Sequence, residues 1–88
     1  MTRGKTMNTY KAKFTIFDPI VELQKATGDR LSDSEYARQI GITRQTFGAL
    51  MQGEVLRIEI ETIDKLLNFF AASGMPITIA DLFTVTHD

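Results

Sequence analysis

The stretch whose reading decides the fold is Ser32–Gly53, SDSEYARQIGITRQTFGALMQG. It holds two segments of helical character hinged at one glycine. Ser32 is a favoured N-cap, and Glu35 stands three residues later, the spacing of a capping box. Tyr36, Ala37 and Ile40 then share one helical face. Gly41 permits the positive φ that a three-residue turn demands, which costs other residues roughly 1 kcal/mol or more. Thr43 caps the second segment, whose Phe47, Leu50 and Met51 fall at i, i+3 and i+4, and Gly53 closes it. This segment begins with four polar residues, Thr43-Arg-Gln-Thr46. Packing alone does not call for them.

Working outward, Tyr10–Phe17 alternates with a period of two: Tyr10, Ala12, Phe14 and Ile16 on one side, Lys11, Lys13 and Thr15 on the other. That pattern predicts a half-buried strand. Asp18-Pro19 opens a helix, aspartate as N-cap and proline where its missing N–H has no partner to lose. The helix runs to Thr27 and stops at Gly28. After Gly53 a link follows, with Leu56-Arg57-Ile58 extended. Ile60, Ile63, Leu66, Leu67 and Phe70 keep helical spacing over three turns, and Gly74 and Pro76 end that helix. Thr78 with Asp81 can cap a last short helix carrying Ile79, Leu82 and Phe83, and the tail beyond it can extend as a strand. The expected fold is all-α: a compact bundle of about five helices plus a short N-terminal β-strand.

The 88 residues allow one modest core. With 43% apolar and 24% charged residues, the composition is that of an ordinary globular protein. No apolar run approaches the roughly 20 residues needed to span a bilayer, so no membrane partner is expected. Arg3 and Lys5 have no apolar segment behind them and do not read as a secretory signal. Cysteine is absent, which excludes disulfides, thiolate metal sites and cysteine nucleophiles and fits a cytoplasmic location. The formal charge of −1 hides an asymmetry: residues 1–17 carry four cations and no acid, whereas residues 18–88 carry six cations and eleven acids. Composition alone therefore does not announce nucleic acid. Any such reading rests on where the cations sit.

The outer face of the third helix carries that reading. It comprises Thr43, Arg44, Gln45, Gly48, Ala49 and Gln52, polar at the N-terminal tip and bare in the middle. A helix entering a groove about 12 Å wide needs long hydrogen-bonding side chains at its tip and small ones along its flank. Gly48 in a helix interior costs about 1 kcal/mol relative to alanine, and close approach to another surface is a reason to tolerate it.

Here the chain resembles the lambda-repressor-like (Cro-type) helix-turn-helix family. The resemblance covers Ile20 to Phe83. It rests on Leu31-Ser32, Tyr36-Ala37, Gln39–Thr43 and Phe47–Gly53, then on Arg57-Ile58, Glu61–Leu66 and Ala80–Phe83. It implies a sequence-specific double-stranded DNA-binding transcriptional regulator, a repressor, acting as a homodimer in the cytoplasm at the nucleoid, with the third helix in the major groove. Carried over by position, Arg44 and Gln45 match base-reading residues, with Gly48 on the same flank. Thr43 and Gln52 match positions near the DNA backbone, where Ser34, Arg38 and Arg57 are also candidates. The chain then divides into a flexible basic N-terminus (1–9), a strand (10–17), a helix-turn-helix DNA-binding domain (18–83) and a tail (84–88).

Two rivals stand beside the repressor: an antitoxin that binds operator DNA and also grips a toxin, and a protein-interaction module that has left DNA. Arg38 reads equally as a phosphate contact or as an ordinary surface charge, and Arg57 leans slightly to the phosphate reading. Lys11 and Lys13 read as DNA contacts or as charges that guard a strand edge against pairing with other chains. His87 has no second histidine to help it hold a metal or to complete a catalytic group. The sequence offers no phosphate loop and no enzyme constellation, so no cofactor, metal or catalytic residue is expected. A strand over 10–17 needs a pairing partner. A second copy is the expected supplier, the tail being the alternative within one chain.

Overall fold

The computed structural model describes residues 10–87. Along the chain run β1 (Tyr10–Phe14), α1 (Phe17–Thr27), α2 (Asp33–Ile40), α3 (Arg44–Gln52), α4 (Ile60–Ala72), a single 3-10 turn (Ile79–Leu82) and β2 (Phe83–His87). Local chemistry sets most of these boundaries. Ser32 Oγ accepts from the Glu35 N–H (3.2 Å) and Thr43 Oγ1 from the Thr46 N–H (3.1 Å), which satisfies one orphan donor at the start of α2 and of α3. Gly41, with φ at 96°, turns the chain out of α2: its N–H and that of Ile42 both donate to the Ala37 carbonyl.

The core is built where these elements meet. Ile20 and Leu23 of α1, Tyr36, Ala37 and Ile40 of α2, Phe47 and Leu50 of α3, and Leu66, Phe69 and Phe70 of α4 are all buried. The Tyr36 ring stacks on Phe47 with centroids 5.6 Å apart and meets Phe69 edge-on at 6.2 Å, so one aromatic column joins α2, α3 and α4. Phe14, Ile16 and Leu82 close the other end.

The fold is mixed α/β rather than the expected five-helix, all-α bundle. Four α-helices pack with a two-stranded antiparallel sheet, β1 paired to β2 in the register Tyr10↔His87, Ala12↔Val85, Phe14↔Phe83. Two causes are local. The Asp81 carboxylate accepts from both the N–H (2.9 Å) and the hydroxyl (3.3 Å) of Thr78, and this closes only one 3-10 turn in place of a fifth helix. Thr84-Val-Thr86 then supplies three consecutive β-branched residues, which favour extended backbone. The third cause is tertiary: β1 lies alongside and completes the ladder. A second copy is thus not needed to pair the strand, contrary to expectation.

Smaller differences follow from the same ladder. The expected strand over 10–17 ends at Phe14, because the next two amides leave it: Thr15 N–H donates to Leu82 (2.9 Å) and Ile16 N–H to the Leu50 carbonyl (3.2 Å). Ile16, not Asp18, occupies the N-cap of α1; Asp18 sits in the first turn, where its charge suits the dipole. Only Phe14 and Ile16 of the alternating set are buried, and Tyr10 and Ala12 lie open. Residues 54–59 form the expected link, whereas Ile60, grouped by its spacing with the apolar face of its helix, is 77% exposed. The flexible N-terminus expected over 1–9 lies outside the described residues.

Candidate nucleic-acid interface

Every outward residue of α3 is placed by an inward one. Phe47 and Leu50 have no exposed surface, and together they fix the rotation of the helix about its axis. Arg44 and Gln45 are four and three residues before the half-buried Gly48, and Gln52 is four residues after it, so the four share one face. Arg44, Gln45 and Gln52 are exposed. A Cβ built on Gly48 would meet nothing within 4 Å. Among the described residues, no packing constraint therefore requires glycine there. The bare flank opens to the outside.

The tip of α3 is held from two sides. Thr43 caps it, and the Thr43 and Thr46 hydroxyls bond to each other at 2.9 Å. Lys65 of α4 reaches back to donate to the Gly41 carbonyl (3.1 Å), which ties the α2–α3 turn to the helix beneath. Arg44, Gln45 and Gly48 line a shallow depression of about 280 Å³ together with Asp33, the first residue of α2. Ser34, exposed, follows Asp33 in the same turn. The base-contact candidates thus come together beside the start of α2.

The cationic candidates are more scattered. Arg38 is exposed on α2, but its guanidinium forks onto Glu35, with Nε donating to Oε1 at 3.2 Å and Nη2 donating to Oε2. Gln39 Nε2 donates to the same carboxylate (2.9 Å). Hydrogen bonding from Arg38, then from Gln39, holds the Glu35 carboxyl below its ordinary range, and the bond to Glu35 raises the guanidinium. Glu35 is therefore engaged along the helix, so of the expected capping box only the Ser32 half forms. Arg57 lies elsewhere. It lines a small groove with Ala12, Phe14, Val55, Leu56, Ile58 and Phe83, which shares no residue with the depression around Arg44.

Sequence reasoning missed three neighbours. The i, i+3 and i, i+4 spacing of Glu35 to Arg38 and Gln39 is a local signal that could have revealed their bonds. Asp33 beside Arg44, and Lys13 laid over Gly53 at the end of α3, are products of folding with no sequence signature.

Among the described residues no group of three or more His, Asp or Glu side chains is placed to hold a metal ion. Nor is any helix long and apolar enough to cross a membrane. Comparison of the chain with protein-family models, curated proteins and solved structures finds no match.

Proposed function

We propose that this chain is a sequence-specific double-stranded DNA-binding regulator, acting as a transcriptional repressor through α3. One observation carries the reading: two exposed hydrogen-bonding side chains, Arg44 and Gln45, stand on one face with open space at Gly48. A helix offering that face fits a major groove about 12 Å wide. Arg44 reads guanine through O6 and N7, and Gln45 reads adenine through N6 and N7. Thr43, Ser34 and Gln52 contact the backbone at either end, Arg57 adds a phosphate contact, and Arg38 adds another once the DNA competes with Glu35 for it. The reading assigns no catalytic step and no cofactor, and it places the protein at the nucleoid.

A homodimer on a two-fold operator belongs to this reading. Exposed apolar residues at the sheet supply a surface for it. Tyr10, Ala12, Val85 and the half-exposed Phe83 share one face of the β1–β2 ribbon, and the fully exposed Leu56 lines the groove beside Ala12 and Phe83. The same surface keeps the antitoxin reading in view, since a toxin could use it, and a stoichiometric second protein on purification would favour that reading. Selection of bound sites from random duplex DNA is the decisive experiment. Enrichment of a two-fold motif is expected. Absence of binding to any duplex at low salt would leave the protein-interaction reading in its place, because even non-specific binding shows there.

A further inference from the structure

The ribbon has a second face. In an antiparallel pair, residues directly opposite each other point to the same side, so the pairs Lys11↔Thr86 and Lys13↔Thr84 set two lysines and two threonines together. All four are exposed, and neither strand contains an acid. Among the described residues, neither lysine takes part in a salt bridge.

This face is attached to the far end of α3. The aliphatic stem of Lys13 lies over Gly53, the residue that terminates α3: a Cβ built on Gly53 would stand 2.5 Å from Lys13 Cδ. Backbone bonding fixes the approach, since the Ile16 N–H just beyond β1 donates to the Leu50 carbonyl in the last turn of α3 (3.2 Å). The end of β1 is thus joined to the end of α3 by a backbone bond and a side-chain contact. Gly53, with φ at 70°, has a backbone reason to be glycine, and its bare surface also gives the Lys13 stem its bed.

We infer that the Lys11–Lys13–Thr84–Thr86 face is a phosphate-binding surface that extends the α3 interface onto the DNA backbone. The inference rests on the DNA-binding reading above. Two ammonium groups neutralise phosphates, and two hydroxyls donate to phosphate oxygens, the division of labour common at sequence-independent contacts. It gives an acidic protein a localised cationic contact beside the C-terminal end of α3. It also accounts for the strand cations without invoking edge protection alone. Glu54, next after Gly53, opposes it in charge.

The test uses the full chain and measures duplex binding against salt concentration. Lys11→Gln with Lys13→Gln removes both charges and leaves an uncharged polar side chain at each position. Loss of two phosphate contacts should weaken binding equally for a selected site and for random duplex, and flatten the slope of log K on log[salt] by roughly 2. Lys11→Arg with Lys13→Arg should restore the slope. Thr84→Val with Thr86→Val, which preserves strand-forming residue types, should weaken binding with the slope unchanged. If the parent binds duplex DNA and the Lys→Gln pair leaves the slope as it was, the ribbon is not a phosphate surface and only this inference falls. A parent that binds no duplex at low salt overturns the inference together with the DNA-binding reading.

Discussion

Gly48 allows folding and function to be tested at one position. Glycine inside a helix is destabilising by about 0.5–1 kcal/mol relative to alanine. Position 48 lies mid-helix in α3, half-buried, with empty space where a Cβ would project. No clash offsets the propensity term, so Gly48→Ala should gain nearly all of it. For a domain of this size 1 kcal/mol corresponds to about 4–8 °C in Tm, so a rise of several degrees is expected. Glutamate is almost as good a helix former and its Cβ meets nothing, so, even with Asp33 bordering the same depression, Gly48→Glu should still fold and melt close to the parent. Binding should divide the two. With α3 in the groove as proposed, a carboxylate on this flank would meet phosphate and base edges, and its position four residues after Arg44 would let it draw that guanidinium away. Gly48→Glu should therefore lose specific binding while melting normally. Thermal denaturation followed by circular dichroism, and fluorescence anisotropy on a selected duplex, measure the two halves. A Gly48→Glu protein that binds like the parent would show that α3 docks by another face. Gly48→Ala melting lower than the parent would refute the open-space argument itself.

Four further outcomes are expected. Arg44→Ala and Gln45→Ala should each lose roughly 1–3 kcal/mol on the best site and relax preference at one or two base pairs, measured by competition against a library of single-base variants. Asp33→Asn removes the carboxylate that borders Arg44 and Gln45 and should tighten duplex binding at low salt; unchanged affinity would place the DNA away from the start of α2. Gly41→Ala forces a side chain to φ 96° and should destabilise the domain by about 1–2 kcal/mol in denaturant titration, although its Cβ would meet only the Lys65 stem at ordinary contact distance (3.7 Å). Leu56→Glu with Val85→Glu charges the exposed apolar surface and should yield monomers by light scattering. Point variants suit this question because deleting β1 and the residues after it would strip Phe14 and Ile16 from the core.

What the sequence determined was what neighbours along the chain decide among themselves. Ser32 and Thr43 cap helices because their hydroxyls reach an amide three residues on, and Gly28, Gly41 and Gly53 end helices because a left-handed residue is needed there. The inward set Tyr36, Ala37, Ile40, Phe47 and Leu50 was legible from helical spacing, and so was the outward position of Arg44, Gln45 and Gly48. Tertiary structure decided the rest. β1 and β2 stand at opposite ends of the described chain, and neither amide row is satisfied until the helices bring them together. Alternation marks a strand but not its partner, so a second copy and the tail could not be told apart by pattern. Nor could it tell a fifth helix from one turn and a strand, since Ile79, Leu82 and Phe83 suit both until Thr15 bonds to Leu82. Lys13 over Gly53 follows from that same closure: residues far apart in sequence become neighbours only in the packed chain, whereas Asp33 comes to share a depression with Arg44 through the packing of α2 against α3.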